Sequence, residues 1–148
     1  MARSKLARSD PVLIPKQARK YFKMNRRVLV VEADKTLRQM LATILDDNGF
    51  EVTTANDNIV ALERLQQQAV DFILLDMLIP SADNVEIWAR LRANPATKDV
   101  PVMVIIADPT EKNIEQVSHL GVHHFLPKPF TEDELLLKIL TLLTESSM

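Results

Sequence analysis

The sequence predicts an α/β domain with a doubly wound, five-stranded parallel sheet, and three observations predict it. Short apolar runs, several of them rich in β-branched residues, recur along the chain, as expected of strands buried on both faces. Amphipathic segments with helical spacing lie between these runs. The connections are short, so each helix carries the chain back to start a new strand parallel to the last.

Taken in order, residues 1–24 show no period and contain Pro11 and Pro15, which places them outside the core. Val28 to Val31 is the first strand, and it runs into Glu32-Ala33-Asp34. Asp34 caps a helix whose apolar residues are Leu37, Met40, Leu41, Ile44 and Leu45. Asn48-Gly49 stops that helix, and Glu51 to Thr54 is a second, shorter strand. A helix over 58–68 follows, then the strand Phe72 to Leu75, which ends at Asp76.

Beyond a polar loop with Pro80, a helix carries Val85, Ile87, Trp88 and Leu91. Val100 to Ile106 is the most apolar strand. Asp108-Pro109-Thr110 opens a helix to about Leu120, which Gly121 closes. His124 to Leu126 is the last strand, and Thr131 caps a final helix to about Thr144. The result is a flavodoxin-like (βα)5 domain over residues 26–146, preceded by a basic extension, residues 1–25.

Composition narrows the function. Apolar residues make up 47% and charged residues 26% of the 148, ordinary for a globular chain. No run of eighteen apolar residues exists, which argues against a membrane span, and there is no cysteine for disulfides or thiolate metal sites. These features suit a cytoplasmic protein. With Gly49 and Gly121 as its only glycines, the chain has neither a phosphate-binding loop nor a dinucleotide fingerprint. No Ser or Cys sits in a nucleophile elbow, so hydrolytic catalysis is unsupported and the domain is not read as an enzyme. His119, His123 and His124 straddle a turn and are a poor metal set.

Doubly wound sheets place their sites beyond the carboxyl ends of the strands, where strand order reverses. Here those ends carry Glu32, Asp34, Asp76, Ile106 and Lys128. Clustered carboxylates raise each other's pKa unless a cation compensates. An oxygen-rich pocket with room for water suits Mg²⁺. A carboxylate can also attack a phosphoryl group, with a lysine balancing the transferred charge. The residue types thus suit phosphoryl acceptance from a donor.

Val30-Val31-Glu32-Ala33-Asp34, Asp71 to Asp76 with Pro80, Pro101-Val102-Met103-Val104 and Lys128-Pro129-Phe130 together resemble response-regulator receiver domains. Four motifs in order and spacing make that resemblance specific, and it covers roughly residues 26–145. It implies two-component phosphorelay signalling, with Asp76 the position phosphorylated by a histidine kinase or phosphotransfer protein. It further implies that Lys128 contacts the phosphoryl group, that Lys128–Pro129 is cis, and that Glu32, Asp34, Asp76 and the backbone carbonyl of Leu78 hold Mg²⁺.

The chain departs from that family's pattern in two places. Ala33 stands where a second adjacent acid is usual, which removes a charged metal ligand. Ile106 stands where Ser or Thr is usual and cannot donate to a phosphoryl oxygen, a bond worth roughly 1.5–3 kcal/mol. The aromatic switch partner is retained as Phe125, and Asn84 replaces a common glycine. The expectation is an atypical receiver with weak or absent Mg²⁺ binding and weakened switching. The alternative is a pseudo-receiver that acts as a phosphorylation-independent interaction module.

Two further features call for partners. Leu135, Leu136, Leu137, Ile139, Leu140, Leu142 and Leu143 fall within nine residues, more than one sheet face needs, which predicts a homodimer through the last helix. The alternative cover is extra chain, such as residues 1–24. Residues 1–27 carry nine Lys or Arg and one acid, against nine basic and nineteen acidic groups in the remaining 121. Docking of this tail on the acidic body, or a dispensable leader, ranks above nucleic-acid binding, because Tyr21 and Phe22 are too few for a stacking platform. No output domain follows residue 148, so the chain reads as a stand-alone receiver or a fragment.

Overall fold

The structure is a computed structural model that describes residues 26–77 and 82–146; of residues 82–84 and 146 only the backbone is described. The basic extension (residues 1–25), Pro80 and the Leu78 carbonyl therefore lie outside the described residues, as does the side chain of Asn84.

Strands β1 (Arg27–Val31), β2 (Glu51–Ala55), β3 (Phe72–Met77), β4 (Val102–Ile106) and β5 (His124–Pro127) form one sheet in the order β2-β1-β3-β4-β5, all parallel. Between and after them come helices α1 (Lys35–Asp47), α2 (Asn58–Gln67), α3 (Ala82–Ala93), α4 (Glu111–His119) and α5 (Glu132–Ser146). The doubly wound expectation holds. Strand order reverses between β1 and β3, so the crevice belongs at their carboxyl ends.

Alternation along β1 divides the core in two. Val28 and Val30 face a layer with Leu41 and Leu45 of α1 and Leu135, Ile139 and Leu142 of α5. Leu29 and Val31 face the other layer, with Ala61 of α2, Ile87, Trp88 and Leu91 of α3, and Val117 of α4. A strand buried on both faces has no polar alternation, which is why these runs read as continuously apolar.

Local chemistry sets the helix ends. Asp34, Asp57 and Thr110 cap α1, α2 and α4, each side chain accepting from the backbone N–H three residues on. At the start of α5, Thr131 and Glu134 exchange bonds of 2.8 and 3.1 Å in a capping box. α1 ends with Gly49 at φ 92°, Gly49 N–H donating to Asp46 and Phe50 N–H to Leu45. That pattern needs a left-handed residue, which glycine adopts without a Cβ penalty. Lys128–Pro129 is cis, as the resemblance implied.

Two sequence expectations change. β4 begins at Val102 rather than Val100, because the Val100 N–H turns back to Thr97 and Pro101 has none to give. Of the seven apolar residues in α5, Leu135, Leu136, Ile139, Leu142 and Leu143 are buried within the chain, and Leu140 packs partly against the same layer. Only Leu137 is exposed, at 38%. The apolar surplus that suggested a second buried surface is largely consumed by the chain's own core.

Candidate functional site

β1 and β3 are direct neighbours, with Val31 paired to Leu75, so the residues that follow each strand meet at the crevice. Glu32 continues the ladder, its N–H bonded to Ala55 of β2, which turns its side chain inward. Asp76 occupies the penultimate position of β3. Lys128 follows β5, and its backbone N–H bonds to the Ile106 carbonyl at 3.0 Å, tying its loop to the end of β4.

The structure brings Glu32, Asp76 and Lys128 together. Lys128 Nζ lies 2.7 Å from Asp76 Oδ2 and 3.9 Å from Glu32 Oε1. The Glu32 and Asp76 side chains are only 6% and 8% exposed, that of Lys128 27%. The short contact is an ion pair rather than an aligned hydrogen bond, and Glu32 Oε1 is buried without a donor. Glu32 Oε2 accepts from the Asp34 N–H at 2.8 Å.

Burial and the neighbouring Asp76 carboxyl push the Glu32 pKa up to about 7, against the opposing pull of the Asp34 N–H and Lys128. One cation facing two buried carboxylates leaves a deficit of one positive charge. A proton on Glu32 fills it. A divalent cation would fill it instead.

Asp34 is placed differently. Its carboxylate is exposed and accepts from the Leu37 N–H at 2.7 Å, capping α1. Ala33 is exposed and lines a cavity of about 710 Å³ with Glu32, Asp76, Asn56, Asp57 and Ile87. The donor set still fits Mg²⁺: two buried carboxylates, each with an oxygen lacking a hydrogen-bond partner, beside open space for water.

Ile106 is fully buried, in one apolar cluster with Ile87, Trp88 and Val117, and Phe125 packs half-buried against that cluster. The side chain is core, with no donor to offer the crevice. His119 and His123 are exposed, and His124 pairs with Glu145 at 3.1 Å.

Sequence reasoning missed Arg38. Its guanidinium donates to the Glu32 and Ala33 carbonyls at 2.9 and 3.3 Å, pinning the loop that aims Glu32. A basic residue one turn into the helix after the acidic loop is the only signal, a weak one. Arg92 was also missed: it stacks 4.3 Å from the Trp88 ring and donates to the Thr97, Lys98 and Val100 carbonyls before β4.

Known proteins share this sequence pattern and fold. The family model for the response regulator receiver domain matches residues 28–140. The phosphate regulon transcriptional regulatory protein PhoB of Escherichia coli is 32% identical over 116 residues, which is 78% of this chain and 51% of PhoB. The chain thus spans about half the length of the curated relatives it matches. Among solved structures, the chemotaxis protein CheY4 of Vibrio cholerae superposes with a TM-score of 0.72 at 27% identity, covering 79% of this chain and 98% of CheY4. The receiver domain of sensor histidine kinase PA1611 from Pseudomonas aeruginosa, with magnesium coordinated in its active-site cleft, has a TM-score of 0.72 at 25% identity, covering 81% and 98%. From its strand order, its acidic crevice and these matches, the chain belongs to the response-regulator receiver domain family.

Proposed function

We propose that the domain accepts a phosphoryl group on Asp76 from the phosphohistidine of a histidine kinase or phosphotransfer protein, and does so weakly. The observation that carries this reading is the nearly buried Asp76 carboxylate, ion-paired at 2.7 Å to Lys128 and opening on a cavity beside Glu32. An Asp76 carboxylate oxygen attacks phosphorus and forms an acyl phosphate. The phosphorus–nitrogen bond of the donor breaks, and its electron pair returns to the imidazole. Lys128, already at Asp76, balances charge on the transferred oxygens.

Glu32 and Asp76 would hold Mg²⁺, joined by the Leu78 carbonyl and by the free Asp34 oxygen, directly or through water. When bound, the metal supplies charge neutralisation for the phosphoryl oxygens. Ala33 removes one ligand of this set, and Ile106 removes the hydroxyl that would draw the β4 loop toward the phosphoryl group. The domain is a cytoplasmic signalling module rather than an enzyme with turnover of its own.

A small phosphodonor such as phosphoramidate, supplied with Mg²⁺, tests the reading by intact mass. Slow, Mg²⁺-dependent addition of one phosphoryl group, absent in Asp76→Asn, is the expected result. No addition at any Mg²⁺ concentration would overturn it.

The burial of Ile106 favours a second reading, a phosphorylation-independent interaction module. Its contact surface would be α5, where Leu137 is exposed and Leu140 half-buried, and a homodimer is its simplest form. Sedimentation of the unphosphorylated chain tests it, since a strict monomer at high concentration removes the dimer. Residues 1–25 are assigned no nucleic-acid role; transcriptional regulation is a property of PhoB as named, and the match covers half of it.

A further inference from the structure

Arg38 breaks a local rule. It is the fourth residue of α1, Lys35 is the first, and the first turn carries no acid. The positive end of a helix dipole disfavours cations there. A local cost without a local gain points to a role outside the helix.

That role lies behind the side chain. Helical side chains tilt toward the amino end, so half-buried Arg38 reaches back over residues 32–34, the loop between β1 and α1. A single nitrogen, Nη1, donates to the Glu32 carbonyl at 2.9 Å and to the Ala33 carbonyl at 3.3 Å. Both acceptors are carbonyls, so these bonds grip the loop without neutralising a crevice carboxylate.

The second bond acts through the peptide it holds. The Ala33 carbonyl and the Asp34 N–H belong to one planar trans peptide and point opposite ways. Fixing the carbonyl therefore fixes the N–H, which donates to Glu32 Oε2 at 2.8 Å. Oε2 is thus engaged, while Glu32 Oε1 is buried without a hydrogen-bond partner, 3.9 Å from Lys128 Nζ.

We infer that Arg38 is a positioning residue for cation binding: it locks the Ala33–Asp34 peptide so that Glu32 keeps Oε1 open to the crevice. This rests on the proposed function, in which Glu32 holds Mg²⁺. The demand on Glu32 is high in this chain, because Ala33 brings no carboxylate and Glu32 is the one buried acid of the loop. A residue that orients a metal ligand without touching the metal commonly governs affinity.

Arg38→Met keeps the apolar stem and removes donor and charge together. Charge alone would tighten Mg²⁺ binding, since a repelling cation is gone. Lost positioning has the opposite sign, and calorimetric titration should show Mg²⁺ binding about tenfold weaker than in the wild type. Unchanged or tighter binding overturns the inference alone, whereas a wild type that takes no Mg²⁺ defeats the proposed function beneath it. Hydrogen exchange of the metal-free protein reads the peptide directly. The Asp34 amide should exchange faster in Arg38→Met, with the amides of Leu41 and Leu45 at their wild-type rates. An Asp34 amide that keeps its protection overturns the inference, and so does faster exchange throughout α1, which would make Arg38 a general support of the helix.

Discussion

Lys128 Nζ sits 2.7 Å from Asp76 Oδ2 but 3.9 Å from Glu32 Oε1, so one cation is committed to one of two buried carboxylates. The other is left to find a proton or a metal. Most of the chain's testable behaviour follows from that imbalance.

Glu32 titrates high because burial and Asp76 favour its protonated form, up to about 7 from the ordinary 4.5. Between those values the native state binds more protons than the unfolded chain, so this group's contribution to stability falls as pH rises. Metal-free protein should therefore lose stability relative to Glu32→Gln from pH 4.5 to about 7. Urea melts of both forms across that range check the sign. A difference that grows in favour of the wild type as pH rises contradicts it.

Ala33→Asp places a third acid on the rim of the crevice. Without metal it should destabilise the domain, by about 1 kcal/mol for an exposed like charge next to Glu32. With metal it should tighten Mg²⁺ binding about tenfold, equivalent to roughly 1.4 kcal/mol. Calorimetric titration of both forms reads the change.

Ile106→Thr exchanges core packing for a hydroxyl. Losing apolar volume at a fully buried position and burying an oxygen should cost about 2 kcal/mol in chemical denaturation. The same variant should strengthen binding of beryllofluoride, a phosphoryl mimic, because the hydroxyl supplies the missing donor. The two effects oppose each other, and that opposition distinguishes a lost switch residue from a neutral core exchange.

Arg92→Met should destabilise by roughly 2–3 kcal/mol, since one guanidinium serves three carbonyls and covers Trp88. Trp88 emission should shift to the red as its face opens to water. Mg²⁺ affinity should not change, because Arg92 sits toward the amino end of β4, away from Asp76.

Much of this was legible from the sequence because the cues are local. The apolar runs of β1, β3 and β4, the caps Asp34, Thr110 and Thr131, and the left-handed Gly49 act within a few residues, so element order can be read in one dimension. Asp76, Glu32 and Lys128 stood out because strand ends in this topology share one edge.

Only the tertiary structure decided the rest, because it depends on which distant residues become neighbours. Placing β1 beside β3 sets Glu32 against Asp76, and that proximity, with burial, raises the Glu32 pKa. Packing on the sheet buries Leu135, Leu136, Leu142 and Leu143 of α5 and leaves Leu137 exposed. The sequence determined which groups the crevice would contain; folding decided their pairing, and with one lysine for two buried acids the pairing leaves Glu32 without a cation of its own.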